Sequence, residues 1–197
     1  KITAITSDKE VLSKIEEILD VDLTADTYLL GKIRSIPKGE LKSLIYYKLL
    51  IASRENLNFF INIGSEINNE VYNFNKNQYK ILSNLIENAL KFTNSGSISF
   101  GYHLVNNEFL HIYIKDTIGI KPEKQLLIFE RFSQEERDLS RNSSGLGLGL
   151  SIAKENTALI GGEIWVESEK WKGSTFWVKL PYKPIEIHDT IDDICMN

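Results

Sequence analysis

From residue 40 to residue 182 the chain switches between helical and two-residue hydrophobic periodicity in an order that strongly restricts its fold. Helical spacing runs over residues 40–54, a strand follows at 57–63, and a second helix covers roughly 75–92. Alternating runs near 97–104 and 108–115 form a hairpin. A further helical run at 151–160 closes at Gly161-Gly162, and runs at 163–168 and 174–180 form a last hairpin. Helices interleaved with mostly antiparallel hairpins predict an α/β (α+β) two-layer sandwich. Its mixed, mostly antiparallel sheet is covered on one face by helices and is not doubly wound.

Composition sets outer limits. A chain of 197 residues with 42% hydrophobic residues buries one good core and leaves room for a small appendage. A net charge of −4 gives no hint of nucleic-acid binding. Cys195 is the single cysteine, which excludes a disulfide framework and a cysteine metal cluster. No apolar run reaches the length of a membrane span and no signal peptide is apparent, so the expected setting is cytoplasmic, with the cytosolic part of a membrane-bound receptor equally compatible.

The helix at 75–92 carries two stripes. Leu82, Leu85, Ile86 and Ala89 fall at core spacing, while Asn84, Asn88 and Lys91 fall at i, i+4 and i+7 on a second face. Amide oxygens are hard ligands for Mg²⁺, and an ammonium neutralises a phosphate. The same three residues also suit a plain solvated face. Gly145, Gly147 and Gly149 open the helix at 151–160, where bare N–H groups and the helix dipole favour an anion. A flexible hinge is the other reading. A dinucleotide loop fails on context, because the polar stretch 133–144 and not a buried strand leads into it. Asp116 ends an alternating strand and is followed by Ile118-Gly119-Ile120. It is either a turn aspartate or an acceptor for an exocyclic amine in an apolar slot. Phe129 and Phe132, spaced i, i+3, either anchor the base of the polar stretch or belong to the core.

The order NLIENALK, DTIGI, FERF and GLGLGL resembles the ATP-binding catalytic domain of sensor histidine kinases, within the larger ATPase group of gyrase B, Hsp90 and MutL. The phrases IFERFSQ, GLSIAK, GGEIWVES and KGSTFWVKLPY extend the resemblance, which covers roughly residues 40–182. It implies an ATP lid across 133–144, mobile without nucleotide and ordered by the γ-phosphate. It further implies that Asn88 holds Mg²⁺, with Asn84 supporting metal or phosphates a turn earlier. Lys91 contacts phosphate, beside an aromatic at Phe92. Asp116 reads the adenine amine, with Gly119 and Ile120 in the adenine-side loop and Thr175 supplying a helping hydroxyl. Phe129 and Phe132 root the lid, and Arg141 is its basic residue near the phosphates. Gly145, Gly147, Leu148 and Gly149 form the box beneath the triphosphate. The implied cofactors are ATP and Mg²⁺. The implied partners are a dimerisation and phosphoacceptor segment of the same kinase and a downstream receiver domain, in a homodimeric parent.

The sequence departs from that family at two places. The box after Asp116 is one glycine short: either the loop is rebuilt, or a residue is absent from the sequence at that point, and a real deletion costs the turn a residue that tolerates positive φ. Trp171 stands where a hairpin glycine is usual, so Gly173 is expected to supply the permissive turn residue. The domain is expected at residues 36–183. Residues 1–35 read as a linker or the remnant of an upstream sensory or dimerisation segment, and 184–197 as an acidic tail. His103 and His111 lie in the sheet hairpin and His188 in the tail, so none sits on a long helix beside an acidic residue as a phosphoacceptor does. Three functions compete: a kinase domain donating to a histidine elsewhere, an ATP-hydrolysing machine of the gyrase B, Hsp90 or MutL kind, and a nucleotide-binding module that has lost catalysis. The hydrolases place a water-orienting glutamate where this chain has Asn84, and Glu87 points about 100° away around the helix.

Overall fold

A computed structural model describes residue 36 and residues 40–63, 74–133 and 147–182. The element order is α1 (Glu40–Arg54), β1 (Asn58–Ile63), α2 (Lys76–Phe92), β2 (Ser97–Val105), β3 (Phe109–Asp116), α3 (Pro122–Gln125), a 3-10 turn at Leu127–Phe129, α4 (Gly149–Leu159), β4 (Glu163–Glu169) and β5 (Gly173–Pro181). The five strands form one sheet in the order β1-β2-β3-β5-β4. β1 and β2 are parallel, joined by a crossover through α2, and every other pairing is antiparallel. The expected two-layer sandwich is therefore the observed one.

Alternation along the strands divides the sheet into two faces. Ile98, Phe100 and Tyr102 of β2, Leu110, Ile112 and Ile114 of β3, and Phe176, Val178 and Leu180 of β5 are buried under the helices. Asp116 and Ser174 are in phase with that core and face each other across β3 and β5. The other face presents His103, His111, Tyr113, Trp165 and Trp177.

Each helix is specified locally before it packs. In α1, Leu41, Leu44, Ile45, Leu49 and Ala52 make one buried stripe, and Lys48 lies within it. The buried Lys48 ammonium is satisfied by Glu87 of α2 at 2.8 Å. Asn75 caps α2 by accepting from the N–H groups of Asn77 and Gln78, both at 3.0 Å, and Gln78 returns a bond to the Asn75 N–H at 2.8 Å. That reciprocal capping box fixes where α2 begins. Ile81, Leu82, Leu85, Ile86 and Ala89 then bury its core face. Gly161, at φ +71, ends α4 with the left-handed residue expected there.

Candidate functional site

α2 and α4 lie side by side, and the start of α4 meets the polar stripe of α2. A Cβ added to Gly149 would lie 3.3 Å from Asn84 Oδ1 and 3.8 Å from Asn88 Oδ1. Both amide oxygens thus point at the first residue of the glycine-box helix. The Asn84 Nδ2 donates to the Lys80 carbonyl at 2.8 Å, which fixes the amide orientation with its oxygen toward α4. No side chain caps α4, so its leading N–H groups remain available to a ligand. Leu148 occupies the N-cap position and Gly147 adopts φ +69, a conformation costly for other residues. Lys91 is exposed one turn beyond Asn88, with its ammonium 5.1 Å from the Phe92 ring centre. Two hard oxygens, an ammonium and a set of bare N–H groups fit a divalent cation bound to a polyphosphate. Gly145 and Arg141 lie outside the described residues, as do residues 134–144 of the expected lid.

At the C-terminal end of the central strand β3, Asp116 is buried, and burial pushes its carboxyl up to about 6. Backbone and hydroxyl donors oppose that rise. The Ile118 N–H donates to Asp116 Oδ1 at 2.8 Å, and Ser174 supports the carboxylate from β5. The Ser174 hydroxyl also reaches the Ile118 carbonyl and lies 2.9 Å from the Ser168 hydroxyl. It has one proton to give, so carbonyl and carboxylate compete for it.

The loop after Asp116 is short yet tightly held. Ile120 N–H donates to Ser168 Oγ at 2.7 Å, and Gln125 Nε2 donates to the carbonyls of Ile120 and Ser168. Gly119 presses on the final hairpin, where an added Cβ would lie 2.1 Å from the Glu169 carbonyl oxygen. Gly173, at φ +126, passes equally close beneath the Asp116 carbonyl. These contacts staple the loop onto the β4–β5 hairpin.

Three sequence expectations change. The hydroxyl beside Asp116 belongs to Ser174, not Thr175, which pairs with Lys115 and sits on the opposite face of the sheet. Gly173 is permissive as expected, but Trp171 also adopts a left-handed φ of 71 while remaining 85% exposed. The two phenylalanines divide in role. Phe129 is buried and meets Phe176 edge-on at 6.4 Å, whereas Phe132 is exposed, at φ 62. Ser168, Ser174 and Gln125 escape a motif reading because only strand register and the folded-back loop bring them to Asp116. The alternation of β5 was the available clue, since Ser174 shares the phase of Phe176 and Val178.

Residues 76–184 match the family described as histidine kinase-, DNA gyrase B-, and HSP90-like ATPase. The sensor histidine kinase RppB of Synechocystis sp. is 34% identical over 191 residues, covering 95% of this chain and 39% of that protein. WalK, a sensor histidine kinase of Bacillus subtilis, is 39% identical over 107 residues, covering 53% of this chain and 18% of WalK. The chain thus spans less than half the length of these curated relatives. Among solved structures, full-length ShkA in complex with AMPPNP superposes with a TM-score of 0.63 at 23% identity, over 88% of this chain and 36% of that one. The mycobacterial sensor histidine kinase MprB superposes at 0.58 with 22% identity, over 75% of this chain and 99% of that one. At these identities the two structures bear on the fold alone.

Proposed function

The chain belongs to the histidine kinase-, DNA gyrase B- and HSP90-like ATPase family as the ATP-binding catalytic domain of a two-component histidine kinase, and on that premise we propose that it takes Mg²⁺-ATP and passes the γ-phosphoryl group to a histidine on a separate dimerisation segment. The observation that carries the reading is the convergence of the Asn84 and Asn88 amide oxygens on the uncapped start of α4. Asn88 and Asn84 would hold the cation, whose contribution is to offset phosphate charge and fix the phosphate geometry. Lys91 places a further positive charge beside the phosphates. The N–H groups from Gly147 to Gly149 accept the anion at the helix start. Asp116 takes the adenine amine as a hydrogen-bond donor while its Ser174 and Ile118 partners hold it in place.

The acceptor imidazole attacks phosphorus as the bond to the bridging oxygen breaks, ADP leaves, and the imidazole proton passes to an acidic neighbour on the acceptor segment. This chain therefore needs no base of its own. Glu87, the acidic residue nearest the asparagines in sequence, is turned away and held by Lys48 at 2.8 Å and Ser83 at 3.1 Å. That geometry disfavours the water-activating chemistry of the hydrolase branch. A homodimeric parent, a receiver domain as the next phosphoryl acceptor, and a cytosolic location where ATP is available belong to the same proposal. Among the described residues no helix is long and apolar enough to cross a membrane.

Calorimetry tests the site. ATP and ADP should bind more tightly with Mg²⁺ present, and Asn88→Ala should weaken the magnesium-dependent part by about 1–3 kcal/mol, the scale of a lost contact to a charged group. Equal affinities for wild type and variant, with and without Mg²⁺, would contradict the assignment.

A further inference from the structure

The face of the sheet turned away from the described helices holds a pair of ligand-type side chains that the proposed nucleotide site does not use. His103 of β2 and His111 of β3 are directly opposite in register. Their ring centroids are 5.6 Å apart with the planes inclined at 53°, and both rings are partly exposed. We propose that these two imidazoles form a binding site for a late first-row divalent transition ion, Cu²⁺ foremost and Ni²⁺ or Zn²⁺ after it, with water completing the coordination shell.

The spacing suits that ion. A metal–nitrogen bond of about 2.0–2.1 Å puts the ion roughly 3.2 Å from each ring centre, so nitrogen–metal–nitrogen angles from about 90° to 180° separate the centres by about 4.5–6.4 Å. The observed 5.6 Å lies within that range. Both residues sit on central, paired strands, so the backbone holds the pair without a loop to order.

The surroundings include one opposing charge. Lys179 is the β5 neighbour of His111, but its ammonium is drawn toward Glu163 at 3.6 Å and lies 4.3 Å from the Phe109 ring centre. Tyr113 and the two indoles complete the face. Trp177 meets the His103 ring edge-on at 6.4 Å, and Trp165 meets His111 at 6.1 Å. The indoles stack on each other at 6.1 Å, and both N–H groups donate to Glu167. No group of three or more His, Cys, Asp or Glu side chains suited to a metal occurs among the described residues. Two imidazoles alone favour ions at the top of the Irving–Williams order and give no purchase to Mg²⁺, which prefers oxygen. The pair is therefore separable from the asparagine site, on the other face of the sheet.

The flanking indoles provide the readout. Cu²⁺ bound between His103 and His111 should quench the fluorescence of Trp165 and Trp177 saturably, and Mg²⁺ should not. In the full chain, His103→Gln and His111→Gln should each raise the apparent Kd by at least the roughly 10–100-fold seen when a supporting partner of a metal ligand is lost. His188→Gln should leave it unchanged. The single variants alter exposed sheet positions, and retention of wild-type circular dichroism checks that they remain folded. Quenching that persists in either sheet variant, that Mg²⁺ reproduces, or that disappears in His188→Gln would overturn the proposal. Nucleotide binding should be untouched in both sheet variants, so this test stands apart from that of the asparagine site.

Discussion

Asp116 is placed where the role proposed for it conflicts with stability. Its carboxyl is raised to about 6 by burial, against an ordinary value of 3.8. In the range between those two values the native state binds more protons than the unfolded state, so stability falls as pH rises from about 4 to about 6 and then levels off. Asp116→Asn should abolish that slope and raise stability near pH 7 by about 1–3 kcal/mol, while removing the preference for ATP over GTP. Urea unfolding across pH 4–8, paired with nucleotide titrations, checks both halves. A variant less stable than wild type at neutral pH would contradict this account. Because adenine recognition needs the ionised carboxylate, ATP affinity should also fall about tenfold per pH unit below the Asp116 pKa. At the same scale, Ser174→Ala should weaken ATP binding and Thr175→Ala should not. The resemblance pointed to Thr175, whereas the two-residue period of β5 favours Ser174, because only Ser174 shares the core phase with Asp116.

At the scale of elements, the site is a junction of two helices and a loop, and its tolerances differ sharply. A methyl group at Gly149 would press on the Asn84 amide oxygen from 3.3 Å, so Gly149→Ala should fold and bind Mg²⁺-nucleotide about tenfold more weakly, less than the ~10²-fold of a 1 Å misplacement. Gly119→Ala meets rigid backbone at 2.1 Å and must displace the β4–β5 hairpin or the loop itself. It should lower stability by about 1–3 kcal/mol and abolish adenine selectivity together, measured by thermal melts and by ATP against GTP titration. Normal selectivity in that variant would show that the stapled loop does not position Asp116. The helices and strands were largely legible beforehand, because α1 and α2 carry strong helical stripes and β2, β3 and β5 alternate cleanly. α4 begins at Gly149, two residues before its apolar pattern, since glycine contributes nothing to hydrophobic periodicity. The contacts of Gly119, Gly173, Ser168 and Gln125 were not legible, as each depends on the hairpin folding back over a loop distant in sequence.

At the scale of the molecule, one face of the sheet carries the described helices and the proposed nucleotide site, and the other carries the aromatic and histidine side chains. His103 and His111 are locked in paired strands on the uncovered face, which is no place for a phosphoacceptor reached by a bound nucleotide. The chain spans 39% of RppB and 18% of WalK, and the proposal places the acceptor histidine on another segment. The most direct measurement is incubation with γ-labelled ATP and Mg²⁺, first with the chain alone and then with a separate segment bearing the parent kinase's phosphoacceptor helix. The account predicts slow ATP turnover and no label on the chain alone, then acid-labile label on the added helix, lost with Asn88→Ala. Rapid phosphate release by the lone chain, or no transfer to the helix despite tight Mg²⁺-ATP binding, would contradict it.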